Sequence, residues 1–151
     1  MDFERAVEFI LKAEGGYVWD EKDPGGETNF GISKRAYPNE DIKNMTRERA
    51  KFLYKRDYWD RCKCDELPDG LRLAVFDAAV NQGVGAAIRV LQLCCRVKQD
   101  GVIGAGTLSA AKSADAAEYL ALRGVRYAQT ANFDRFGKGW LTRLFHLALF
   151  K

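Results

Sequence analysis

Residues 71–80, Leu-Arg-Leu-Ala-Val-Phe-Asp-Ala-Ala-Val, are apolar on every side apart from Arg72 and Asp77. A helix with no polar face is stable only when other elements enclose it, so the rest of this chain has to supply a shell. Suitable patterns lie on both sides. Phe3, Val7, Ile10 and Glu14 are spaced by four, three and four, which puts them on one face of a helix that Asp2 caps and Gly15-Gly16 stops. Thr46 caps a helix over residues 47–59, with Ala50, Leu53, Tyr54 and Tyr58 facing inward. Gly83 and Gly85 separate the enclosed helix from another over residues 86–97. Asp115-Ala-Ala-Glu118 is a capping box that opens a helix running toward Gln129, and a last helix begins near Trp140.

Only one stretch argues for β structure. Asp23-Pro24-Gly25-Gly26 is turn chemistry, after which Thr28, Phe30 and Ile32 alternate with Asn29 and Gly31. The alternation predicts a short strand in a small hairpin. With 151 residues the chain is long enough for one compact unit and short for two, so the expected fold is mainly α with a small β-hairpin.

Charge and cysteine usage narrow the function classes. Residues 1–83 carry 14 Lys and Arg against 17 Asp and Glu, whereas residues 84–151 carry 10 against 4. The basic half favours an anionic polymer or surface, but its charges are dispersed and accompany no nucleic-acid motif, so nucleic acid is not an expected partner. Cys62, Cys64, Cys94 and Cys95 stand in close pairs rather than at zinc-site spacing, and His146 is the only histidine. No metal and no cofactor are expected. Cys94 and Cys95 read as buried small hydrophobes, and Cys62-Lys63-Cys64 is a candidate for exposure without a histidine to activate it. Glu8, Lys12 and Glu14 interrupt the apolar positions after Met1, so neither a signal peptide nor a spanning helix is read there. The expectation is synthesis in the cytoplasm without stable membrane insertion.

Glu14 is the residue most suited to chemistry. The end of an apolar stripe disfavours an ionised carboxylate, and the C-terminal end of a helix dipole pushes the same way. A glutamic acid that keeps its proton is what glycoside hydrolysis needs to protonate a poor leaving oxygen. A plain ion-paired helix terminus would have the same spacing. The second carboxylate for such a reaction has Asp20, Glu21, Asp23 and Glu27 as candidates in the following loop.

Glu14-Gly15-Gly16-Tyr17, then Asp23-Pro24-Gly25-Gly26-Glu27-Thr28-Asn29-Phe30-Gly31-Ile32, then Tyr58-Trp59-Asp60 closely resemble the Glu-Gly-Gly-Tyr muramidase family of phage endolysins and prophage proteins, glycoside hydrolase family 108. Phe76-Asp77-Ala78-Ala79-Val80-Asn81-Gln82-Gly83 resembles that family's central helix. Leu91-Gln92 with the stretch from Asp100 to Leu108 resembles its peptidoglycan-binding region, and Gly139-Trp140 with Arg143 its closing helix.

The resemblance implies a lysozyme-like fold and cleavage of the β-1,4 bond after N-acetylmuramic acid, with Glu14 as catalytic acid. It also implies a catalytic region over residues 1–83 and a peptidoglycan-binding-like helical region over 84–151 packed into the same unit. The order Glu14, Asp23, Thr28 is similar to the Glu-Asp-Thr order of phage-type lysozymes, although the Asp-to-Thr interval is one residue shorter here, which keeps Asp20 as rival to Asp23. Thr28 is then expected to hold a water. Tyr17, Tyr58 and Trp59 are expected to stack on sugars, with Asp20, Asn81 and Gln82 completing the substrate-binding set. The implied partners are peptidoglycan strands and a phage holin that releases a monomeric enzyme to the periplasm. A lytic transglycosylase and a non-catalytic wall-binding or secretion-assisting protein are the alternatives.

Overall fold

A computed structural model describes residues 1–22 and 25–150. Contacts divide the chain into two compact units, one of Asp2–Asp57 and one running from Tyr58 onward together with Met1.

The first unit opens with α1 (Phe3–Glu14), whose amphipathic pattern buries Phe3, Ala6, Val7, Ile10 and Leu11. Phe3, Val7, Ile10 and Leu11, so buried, contribute about 1.5–3 kcal/mol each. The Asp2 carboxylate accepts the Arg5 N–H at 2.9 Å and caps the first turn, as expected. Gly15, at φ 79°, ends the helix. Three short strands follow, β1 (Val18–Trp19), β2 (Glu27–Asn29) and β3 (Ile32–Ser33), in one antiparallel sheet of order β1-β2-β3. Thr28 pairs with Val18 on one side and Ser33 on the other. The single strand expected across Thr28 to Ile32 is therefore two strands, with the chain reversing at Phe30-Gly31. Buried Asn29 donates from Nδ2 to the Ile42 carbonyl at 3.1 Å and ties the sheet to the loop before α2.

α2 (Arg47–Tyr54) starts at Thr46, whose hydroxyl accepts the Arg49 N–H at 3.1 Å. It buries Ala50, Leu53 and Tyr54. Lys51 Nζ bridges Glu4 at 2.9 Å and Glu8 at 3.3 Å on α1. The helical path continues from Lys55 to Trp59 as a wider π-helical turn.

In the second unit the enclosed helix is α3 (Asp69–Gln82), with Leu71, Leu73, Ala74, Val75, Phe76, Asp77, Ala78 and Ala79 buried. It packs against α4 (Val84–Cys94) and α6 (Ala116–Ala128). Asp115 caps α6 by accepting the Ala117 N–H at 2.9 Å. Two helical segments depart from the sequence expectation. Residues Ala105–Ala111 form α5, a short helix inside the glycine-rich stretch. α7 (Phe133–Leu149) begins two turns before Trp140. Its Gly137 is buried under the Phe133 ring, where a Cβ would stand 2.7 Å from Phe133 Cδ2. Here glycine makes room for packing instead of interrupting the helix.

Cys62 and Cys64 are both fully buried, which corrects their expected exposure. Hydrogen bonding to Cys62 and then burial push the Cys64 thiol up, and burial with the nearby Glu118 carboxylate pushes Cys94 up to about 11. These thiols stay protonated and act as core. Among the described residues no helix is long and apolar enough to cross a membrane.

Candidate active site

Three elements of the first unit converge on Glu14. Its position at the end of α1 follows from the Gly15 stop, and its place in the stripe of Phe3, Val7 and Ile10 leaves it half-buried. The two-residue turn between β2 and β3 has positive φ at both positions, 52° at Phe30 and 77° at Gly31. That is the requirement of the tight hairpin turn whose twist matches the strands. An aromatic residue rarely adopts it unaided. Tyr54, buried on α2, donates its hydroxyl to the Phe30 carbonyl at 2.8 Å and secures the turn.

Gly31 then lies directly on the aliphatic part of Glu14. A Cβ at residue 31 would stand 2.7 Å from both Cβ and Cγ of Glu14 and collide with the Tyr54 hydroxyl. Glycine is needed here both for its φ and for this close approach. Gly31→Ala is therefore expected to cost roughly 1–3 kcal/mol of stability and to lower activity although Glu14 is unaltered. Urea unfolding alongside a turbidity assay on permeabilised cells reads both quantities. A stable, fully active Gly31→Ala protein would show that the turn need not touch Glu14.

The other expected residues of this unit sort by environment. Thr28 is half-buried in the middle strand, and its hydroxyl has no hydrogen-bond partner among the described residues. Tyr17 is exposed and donates to Glu27 Oε1 at 3.0 Å; partial desolvation, then the Glu27 carboxylate, raise its hydroxyl above the ordinary tyrosine value. Asp20 Oδ1 accepts the Lys22 N–H at 2.9 Å, the local turn contact of an aspartate at a loop start. Asp23 lies outside the described residues. Trp19, which the sequence did not single out, is 63% exposed. The alternation Tyr17-Val18-Trp19 beside a strand was the available signal, since residues two apart share a face.

In the second unit the expected substrate residues divide. Trp59 is fully buried with its ring edge-to-face on Phe76 at 5.3 Å, so it is a core residue and offers no face to a sugar. Tyr58 is half-buried in the π-helical turn. Asn81 and Gln82, the last residues of α3, border a polar cluster that sequence reasoning missed. Its centre is Asp77, fully buried, which accepts from Arg123 Nη2 and from Arg143 Nε, each at 2.9 Å. Arg123 is itself fully buried and also donates to Gln82 Oε1 at 3.2 Å. A second polar cluster organises the glycine-rich loop: buried Gln92 donates to Asp100 Oδ1 at 2.8 Å and accepts the Gly101 N–H at 2.9 Å. The Val102 N–H and then Gln92 hold the Asp100 carboxyl below the usual range. This loop borders a surface cleft of about 310 Å³ lined by Val97, Lys98, Val102 and Thr107.

The family model for glycosyl hydrolase 108 matches residues 7–83, half of the chain. The solved structure of Brucella abortus SagA is 35% identical, with a TM-score of 0.86, and the match covers 96% of this chain and 90% of that one. The chain belongs to the glycosyl hydrolase 108 family. Curated proteins gave no match.

Membership of the glycosyl hydrolase 108 family makes the protein a glycoside hydrolase and points to the degradation of peptidoglycan. Its mainly α, lysozyme-like fold with a small antiparallel sheet agrees with the expectation from sequence. The matched stretch contains Glu14, Asp20, Asp23, Thr28, Asn81 and Gln82 and closes just beyond α3. The Gln92–Asp100 cluster lies beyond it.

Proposed function

We propose that this glycoside hydrolase is an N-acetylmuramidase of the endolysin kind, hydrolysing the β-1,4 bond between N-acetylmuramic acid and N-acetylglucosamine with Glu14 as general acid. The observation that carries this reading is the setting of Glu14. It ends an amphipathic helix, half-buried, with the Phe30-Gly31 turn packed on its aliphatic carbons. Packing on Cβ and Cγ narrows the positions from which this side chain delivers a proton to a glycosidic oxygen.

In the proposed reaction Asp23 supports positive charge on the sugar or activates water, with Asp20 as its rival. The Thr28 hydroxyl, with no partner among the described residues, holds the attacking water, and direct attack inverts the anomeric carbon. Tyr17 and exposed Trp19 offer ring faces to the glycan, the role expected of Trp59. The basic residues beyond Gly83 and the Asp100 loop assist association with the wall. The enzyme acts as a monomer on glycan strands after a phage holin releases it from the cytoplasm.

Mass spectrometry of digested Gram-negative sacculi tests the reaction. Products with reducible muramic ends are expected. Anhydromuramic ends would make the protein a lytic transglycosylase, and no soluble product from folded protein would leave a wall-binding role.

A further inference from the structure

The side-chain amides of Asn81 and Gln82 are both anchored through oxygen. The Tyr127 hydroxyl donates to Asn81 Oδ1, and Arg123 Nε donates to Gln82 Oε1 at 3.2 Å. An amide group accepts through its oxygen and donates through its nitrogen, so each anchor leaves an NH₂ group over. Neither NH₂ has an acceptor among the described residues, and Asn81 is exposed.

The polarity of the Gln82 anchor cannot reverse. A guanidinium has donors and no acceptor, so Gln82 can meet Arg123 only through its oxygen. Arg123 is fully buried and committed on its other sides to Asp77 at 2.9 Å and the Ala74 carbonyl at 3.4 Å. Arg123 Nη2 also donates to the Tyr127 hydroxyl at 3.3 Å, which leaves the tyrosine's own hydrogen to be given onward to Asn81. The Tyr127 ring is held by stacking on Trp140 at 4.9 Å. A buried cation thus sets the direction of the hydrogen bond to Gln82, and Tyr127, itself an acceptor from that cation, donates to Asn81.

The geometry points to a donor-only subsite at Asn81 and Gln82 that takes the acetamido carbonyl of an N-acetylated sugar, with Tyr127 and Arg123 as positioning residues. It rests on the reading of the protein as a peptidoglycan glycosidase and adds a basis for telling acetylated from N-deacetylated glycan. A carbonyl oxygen offers two lone pairs and no proton, which suits paired donors. The ammonium that replaces it after deacetylation has only donors and would face donors.

Asn81→Asp and Gln82→Glu together test this, because each keeps the oxygen that its anchor requires and exchanges the outward NH₂ for an acceptor. The probes are the tetramer of N-acetylglucosamine and the fully deacetylated tetramer, titrated into the full chain while the side-chain amide signals of Asn81 and Gln82 are followed by NMR. The acetylated tetramer is expected to shift both signals saturably, and the deacetylated one to leave them in place. The double variant is expected to bind the acetylated tetramer about 10-fold more weakly or worse, since each lost donor strands an acceptor. On sacculi the loss should fall on KM rather than kcat. Tyr127→Phe, which frees the Asn81 amide without touching its donors, should weaken binding in the same direction by less.

Equal shifts from both tetramers, or unchanged binding in the folded double variant, would overturn the subsite. These titrations do not depend on turnover, so a protein that binds as described yet cleaves no sacculi would overturn the proposed muramidase reaction and leave the subsite standing.

Discussion

Replacing Glu14 by glutamine is expected to lower peptidoglycan hydrolysis by about 10²-fold or more while leaving the melting temperature close to that of the parent protein. Glutamine keeps the aliphatic carbons on which Gly31 rests, so the contact between α1 and the β2–β3 turn survives. What disappears is the proton that the leaving oxygen must receive. The loop carboxylates give the complementary measurement. Asp20 already serves its own loop by accepting the Lys22 N–H, and asparagine can keep that contact through its oxygen. Asp20→Asn should therefore be mild and Asp23→Asn severe. Full activity in folded Glu14→Gln would end the proposed mechanism. A larger loss in Asp20→Asn than in Asp23→Asn would transfer the second role to Asp20.

Asp77→Asn is expected to lower stability by about 3–5 kcal/mol, the largest loss foreseen for a single substitution in this chain. Asp77 and Arg123 are both fully buried, and the carboxylate is also the acceptor for Arg143. Neutralising it strands the buried Arg123 guanidinium and removes the charged acceptor of Arg143. Equilibrium unfolding in urea measures the loss. Replacing Asp77, Arg123 and Arg143 together by apolar residues of similar volume should recover most of it, because the desolvation cost of the ions is removed with them. A loss below about 1 kcal/mol in Asp77→Asn would mean that water reaches the pair and relieves the exposed charge.

The two substitutions act on features of different legibility. The ends of α1 could be read because they are local: Asp2 reaches a backbone N–H three residues on, and Gly15 adopts its own positive φ. The enclosed character of α3 was equally plain, since an apolar surface all round a helix too short to span a membrane has no other stable use. The same local logic put Glu14 at the end of an apolar stripe, and the ordered motifs around it carried the family resemblance.

Other features depend on partners far along the chain. Periodicity through Thr28, Phe30 and Ile32 indicated one strand, but Tyr54, 24 residues beyond Phe30, holds that residue at positive φ and makes a turn. Trp59 and Trp19 are the same residue type in comparable polar surroundings of sequence, yet one is buried on Phe76 and the other faces solvent. Asp77 was visible as a lone charge in an apolar helix, while its partner Arg123 lies 46 residues away. Helix caps, turns and apolar periodicity are written in neighbouring residues because backbone geometry is local. The burial of a ring or the pairing of a charge depends on which distant groups exclude water from it, and only the folded chain brings those groups together.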